Sequence, residues 1–279
     1  MAAPSPTPDA AFLSVIAWPP GMDVERVADL VYAASGIDRF YVRQRLAGGV
    51  PAVIQRVDAG ASRPMVDELR THGVFAVAPT QTQMRAFAGP IRAKRLAPAL
   101  GAPEPMFLCE PWRGEAFGFT ARSIAVMVRA RLSRSHKSAP RLESSGAGYG
   151  AMAGAPVPYY EVVRDSRSSL HDILDIYLRD RRRIRCHGDK FNFDILGSSK
   201  GFSDNENMDK LAVMLADAAP RAIVDLGFAD FSCPPILAEI SRTASNGDRT
   251  TDDHPMFDFY SPWIVLIHAA IAAGEKSMG

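Results

Sequence analysis

Leu170-His171-Asp172-Ile173-Leu174-Asp175-Ile176-Tyr177-Leu178 is followed, after Arg179-Asp180-Arg181-Arg182, by Arg183-Ile184-Arg185-Cys186. Leu170, Leu174, Ile176 and Leu178 stand at even spacing, and Ile184 and Cys186 resume the alternation, which is the pattern of a half-buried β-hairpin turning at Asp180. Ser203-Asp204-Asn205-Glu206 then forms an S-x-x-E capping box and predicts a helix start. Met208, Leu211, Ala212, Leu215 and Ala218 fall on one face of that helix, and Pro220 ends it. A hairpin followed by one amphipathic helix is a packing unit, with no catalytic group at a telling spacing.

A chain of 279 residues suffices for two modest domains that need no disulfide or metal to fold. Hydrophobic residues at 47% and charged residues at 23% exclude general disorder and fibrous classes. Cys109, Cys186 and Cys233 are an odd, widely spaced set, which suits free thiols in a reducing, cytoplasmic setting. Residues 1–11 lack a basic segment and an apolar run, so they are expected to be a frayed tail and not a secretory signal. Trp263 to Gly274 is too short to span a bilayer and is expected to be a buried terminal helix.

The net charge of +1 conceals a division. Residues 121–200 carry 15 basic and 8 acidic side chains, and residues 201–279 carry 5 and 12. Either the middle segment meets an anionic partner, or the acidic C-terminal part lies against the basic part.

In chain order, Phe12 to Trp18 is a strand ended by Pro19-Pro20-Gly21. Asp23 caps a helix with Val24, Val27, Ala28 and Val31 inside and Gly36 as its left-handed stop. Asp38 opens a second helix, Val53 to Val57 is a strand, Ser62 caps a third helix closed by Gly73, and Val74 to Ala78 is a third strand. The order is β-α-α-β-α-β. With Gly48-Gly49-Val50-Pro51-Ala52-Val53-Ile54, Met65-Val66-Asp67-Glu68-Leu69 and His72-Gly73-Val74, the region 12–80 resembles the C-terminal domain of the bacterial ribosomal stalk protein L7/L12 and its relative, the protease adaptor ClpS. The resemblance implies a recognition module that binds proteins or peptides and catalyses nothing. The adaptor's Asn-Asp-Asp run is absent before Pro20. The stalk protein's basic helix face is thinned to Arg26, Arg39, Arg43 and Arg45.

Residues 80–103 look like a connection, with Ile91 to Leu96 a candidate strand, and a second domain is expected over 90–279. Met106–Cys109, Ala116–Phe119, Ile124–Leu132 and Tyr159–Val163 are candidate strands of a meander. Ser, Gly, Ala and Pro dominate 133–158, which predicts a flexible insertion. Antiparallel strands, the phrase Leu174-Asp175-Ile176-Tyr177-Leu178 with Asp180 to Arg185, and a closing helix resemble a bacterial pleckstrin-homology-like domain. The expected fold class is therefore α+β: a small β-α-α-β-α-β domain, then a mainly antiparallel sheet domain with a C-terminal helix.

Cys186-His187-Gly188-Asp189 invites a nucleophile or metal reading, but adjacent strand residues point to opposite faces, so Cys186 is expected in the core and His187 outside. Asp252-Asp253-His254 with Asp258 is a cation candidate lying in a polar loop region. The main functional feature is the basic cluster Arg179, Arg181, Arg182, Arg183, Arg185 and Lys190, near Arg129, Arg131, Arg134, Lys137 and Arg141. Alternation puts Arg181, Arg183 and Arg185 on one strand face, either to meet phosphates or a carboxylate-rich surface or simply solvated to prevent sheet pairing. Few aromatics interleave with these arginines, which argues against nucleic acid. No phosphate-binding glycine loop and no H-E-x-x-H occurs. The expectation is a non-catalytic adaptor or scaffold whose Arg-rich face, with Arg39 and Arg43 on the N-terminal helices, docks an acidic protein, without cofactor or metal. Anionic lipid binding, or an enzyme using Cys186 and His187, are the alternatives. Polar chemistry is expected to be spread over docking surfaces and not gathered in one pocket.

Overall fold

Every residue of β1 (Ala10–Ala17) except the last is buried, so the strand must be covered on both faces. It is the centre of a three-stranded antiparallel sheet, between β2 (Ala52–Asp58) and β3 (Phe75–Val77). This description comes from a computed structural model and covers residues 9–87, 89–99, 101, 104–139, 141–149, 156–163, 166–232, 234–235, 242–245 and 248–278. Ala10 and Ala11 belong to the strand and not to a tail, whose other residues, apart from Asp9, lie outside the described ones.

Three helices cover one face: α1 (Val24–Ser35), α2 (Arg39–Leu46) and α3 (Ala59–Thr71). Their Val27, Val31, Val42 and Leu69 pack on Leu13, Val15 and Ile54. The caps are those the sequence predicts for α1 and α2: Asp23 accepts from the Arg26 N–H, Asp38 from the Tyr41 N–H, and Gly36 ends α1 with φ 71°. The third helix differs. Asp58, at the end of β2, accepts from Gly60 and Ala61 and starts the helix upstream of Ser62, which is buried. A carboxylate is at least as good a cap as a hydroxyl and lies where the strand already ends. The expected connection after residue 80 contains a further short helix, α4 (Gln81–Arg85), capped by a Thr80–Gln83 box.

The second sheet has the strand order β13-β14-β7-β10-β11-β4-β5-β6, with β12 also on β7. Its members are β4 (Ile91–Pro98), β5 (Met106–Pro111), β6 (Phe117–Thr120), β7 (Ile124–Lys137), β10 (Ser166–Leu178), β11 (Arg183–His187), β12 (Ile223–Asp225), β13 (Arg242–Ser245) and β14 (Asp248–Asp252). All pairs are antiparallel except β11 with β4 and β12 with β7. The fold is thus mixed α+β with antiparallel sheets and a C-terminal helix. Residues 133–158, expected as a loop, extend β7 to Lys137 and then form a separate antiparallel pair, β8 (Arg141–Tyr149) with β9 (Pro156–Val163).

Two helices sandwich this sheet. On one face α5 (Asp204–Ala218), capped by Ser203, lays Met208, Leu211 and Leu215 against Leu174, Ile176, Ile184 and Cys186. The glutamate arm of the predicted capping box reaches Phe202 N instead of the cap itself. On the other face lies α6 (His254–Met278), with Phe257, Trp263 and Ile267 against Val126, Val128, Leu132, Ile173 and Tyr177. Segment His254–Gly274 is long and apolar enough to cross a membrane, but half of it is buried in the fold.

The opposite face of the first sheet, through Phe12, Ile16, Val53 and Val77, enters that same core. Trp263 Nε1 donates to Ser14 Oγ at 3.1 Å, and both residues are fully buried. Regions 12–80 and 90–279 thus each have a core cluster of their own and share a third one, built around α6.

Candidate binding pocket

The paired strands are buried on both faces over Asp172–Leu178 and Arg183–Cys186, which changes the meaning of Arg183 and Arg185. Even positions of β10 face α5, whereas Ile173, Asp175 and Tyr177 face α6. On that side Arg185 Nε donates to Asp175 Oδ1 at 2.7 Å and Arg183 Nη2 to Asp175 Oδ2 at 2.6 Å. Ser261 Oγ donates to the same carboxylate at 2.7 Å, and Tyr177 OH lies 2.9 Å from Ser261 Oγ. Asp258 on α6 bridges Arg185 Nη1 at 2.7 Å. Burial opposes charge on Asp175, yet Arg185 and Arg183 outweigh it and hold the carboxyl far below its usual range. The Arg183 and Arg185 docking face is thereby overturned. Both are about 5% exposed and neutralised internally.

The remaining arginines of that expectation are scattered. Arg181 sits in the turn with φ 71°, and Arg182 pairs with Asp180 and lies over the Phe117 ring. Arg179 donates to the Arg122 carbonyl at 3.0 Å and lines a separate cavity of about 860 Å³ with Arg122 and Arg221. Arg39 is exposed and Arg43 half-buried on α2, and they bridge Asp29 at 3.0 Å and Glu25 at 2.7 Å. The charge division of the sequence has its counterpart in Arg129–Asp209, Arg134–Asp252 and Arg185–Asp258, so part of the acidic C-terminal region does lie against the basic one.

Four other cations converge. Arg92 at the start of β4, Arg113 in the β5–β6 turn, Arg134 on β7 and Lys190 after β11 line one cavity of about 980 Å³. Trp112 stands beside them, 53% exposed. Among the described residues, Arg92, Arg113 and Lys190 have no carboxylate within ion-pair distance, and Arg134 has only a 3.7 Å contact with Asp252. Asp189 is the one acidic residue in the lining. The parallel pairing of β11 with β4 brings residues 91–93 beside 184–186, so Arg92 and the turn after His187 meet. Trp112 is placed by its N–H, which donates to the Arg92 carbonyl at 2.9 Å.

Three imidazoles complete the wall. His171, His254 and His187 form a row, with ring centroids 5.5 Å apart for the first two and 6.5 Å for the last two. His254 is the first residue of α6; its Nδ1 is 2.7 Å from Asp252 Oδ1, and its backbone N–H donates to that oxygen. Burial disfavours charge on Asp252, but these contacts with His254 prevail and lower its carboxyl below the usual range. Burial, with Arg185 and Arg92 nearby, brings His187 down to about 4. The ring is neutral at pH 7, and its Nε2 is buried without a hydrogen-bond partner.

The expected divergence of Cys186 and His187 holds: the thiol is fully buried in the α5-side core while the imidazole lines the pocket. Burial pushes the Cys186 thiol well up and Cys109 to about 12, which disfavours the thiolate form of both at neutral pH. The expectation that polar chemistry is nowhere gathered fails for the histidines and cations. Among the described residues, no group of three or more His, Cys, Asp or Glu is arranged to hold a metal ion. No family model, curated protein or solved structure matches the chain.

His187, Lys190 and Arg134 stood out in the sequence, and His254 belonged to an acidic cluster. Arg92, Arg113, Trp112 and His171 were missed because they come from three separate segments, none with a local motif.

Proposed function

We propose that the chain is a non-catalytic binding protein for an acidic protein partner, engaged at the histidine-lined pocket and not at the Arg183–Arg185 strand face. The observation that carries this reading is that Arg92, Arg113 and Lys190 line one cavity of ligand size without a described carboxylate partner. Unpaired cations around a concavity keep their attraction for an incoming anion, whereas the ion-paired Arg39 and Arg43 have already spent most of theirs. Trp112 offers a flat apolar surface at the rim, the residue type enriched in protein interfaces. Buried free thiols at Cys109 and Cys186 suit a reducing compartment, in keeping with a cytoplasmic protein.

The test is fluorescence anisotropy with a labelled glutamate-rich peptide. Binding should weaken as salt rises and fall about tenfold or more in Arg92→Glu with Lys190→Glu, since each lost charge pair at a partly desolvated site is worth roughly a kcal/mol. Both side chains are exposed and unpaired among the described residues, so the fold should survive. Unchanged binding in the double variant would refute the pocket as the docking site, and binding to anionic vesicles in place of the peptide would favour a lipid surface.

A further inference from the structure

We infer that the anion accepted by this pocket is a phosphate monoester, a phosphorylated side chain on a segment of the partner, in preference to a plain carboxylate. The inference rests on the acidic-partner reading above and names the group recognised. Arg92, Arg113, Arg134 and Lys190 approach from four separate elements, so their donors reach the cavity from different directions. A carboxylate is planar, with two oxygens and one charge. A phosphate ester presents three strong acceptor oxygens arranged tetrahedrally and nearly two charges, so it can satisfy several guanidinium and ammonium groups together.

Two further observations point the same way. The pocket wall includes the first residue of α6, a helix of 25 residues whose N-terminal end favours negative charge. His187 lines the cavity, and its Nε2, although buried, has no hydrogen-bond partner among the described residues. A turn of this neutral ring in the complex would bring that nitrogen to the phosphate group as a directional hydrogen-bond partner without adding charge. Asp252, two residues before the helix start, is occupied by the backbone N–H and ring of His254 and by Arg134, and Asp253 accepts from the Ser133 N–H, which limits their repulsion of an incoming anion. Trp112 at the rim meets the backbone or side chain next to the phosphorylated residue.

The test uses the full chain and three labelled peptides identical except for phosphoserine, glutamate or serine at the centre, read by anisotropy and by Trp112 fluorescence against a Trp112→Phe control. The phosphoserine peptide should bind about tenfold or more tightly than the glutamate one, as charge-assisted bonds to a third oxygen predict. His187→Asn and Arg92→Gln should reduce that preference while leaving the melting temperature near that of the parent. Equal binding of phosphoserine and glutamate peptides overturns this inference and leaves the acidic-partner reading in place. Failure of both peptides overturns both. Tighter binding of a nucleoside monophosphate or of inorganic phosphate than of the phosphopeptide overturns the protein-borne source.

Discussion

Asp175 and Arg185 face each other across one rung of the β10–β11 ladder, both buried, with Arg185 Nε 2.7 Å from Asp175 Oδ1. Arg183 and Ser261 bind the same carboxylate, so every oxygen is engaged. Removing one partner from such a network leaves uncompensated buried charge, whereas replacing all the charges together need not cost stability. Asp175→Ala should therefore lower the unfolding free energy by about 3–5 kcal/mol, measured by urea denaturation. A loss below roughly 1 kcal/mol, the scale of an exposed pair, would mean that the network is solvated.

Acid should act through the same carboxylate. Its folded-state pKa is depressed, so its stabilising contribution is complete above the unfolded value near 4 and fades as pH falls toward the folded one. Between pH 4 and pH 2 the parent should lose stability more steeply than Asp175→Asn. Equal slopes in the two proteins would contradict the depressed value.

His187 acts in a different window. Its pKa falls from 6.5 unfolded to about 4 folded, so the unfolded chain binds the extra proton between those values and stability declines as pH drops through that interval. Melting temperatures at pH 7 and pH 5 should differ more in the parent than in His187→Asn. Burial sets this first, with Arg185, Arg92 and His254 acting in the same direction and Asp189 opposing them. If the variant melts with the same pH dependence, the imidazole is not held neutral by the pocket.

Trp263 tests the union of the two sheets. Its ring is fully buried between them and donates to Ser14. Trp263→Ala should cost about 3–5 kcal/mol through lost burial and the cavity left behind. In the parent, amides of β1 and of β10 should show similar protection in hydrogen exchange. Early exchange of β1 alone would indicate an independently unfolding N-terminal region.

The thiols give a simple chemical check. In a Cys233→Ala chain, a thiol probe at neutral pH should label Cys109 and Cys186 only after denaturant is added, since burial disfavours both thiolates. Rapid native labelling would restore a thiol-based activity as a reading.

The residues themselves determined the elements. Asp23, Asp38, Gly36 and Ser203 marked helix ends through local hydrogen bonds and backbone freedom, and the alternation around Asp180 marked the hairpin; such signals act within a few residues. Tertiary structure decided the rest. Whether Arg183 and Arg185 face water or protein depends on α6, about seventy residues away, covering that side of the sheet with Ser261 and Asp258. The pocket likewise exists only because β4 pairs in parallel with β11 and the start of α6 lies beside them. Periodicity reports that a strand has two faces; what covers each face is fixed by long-range packing, which no local pattern encodes.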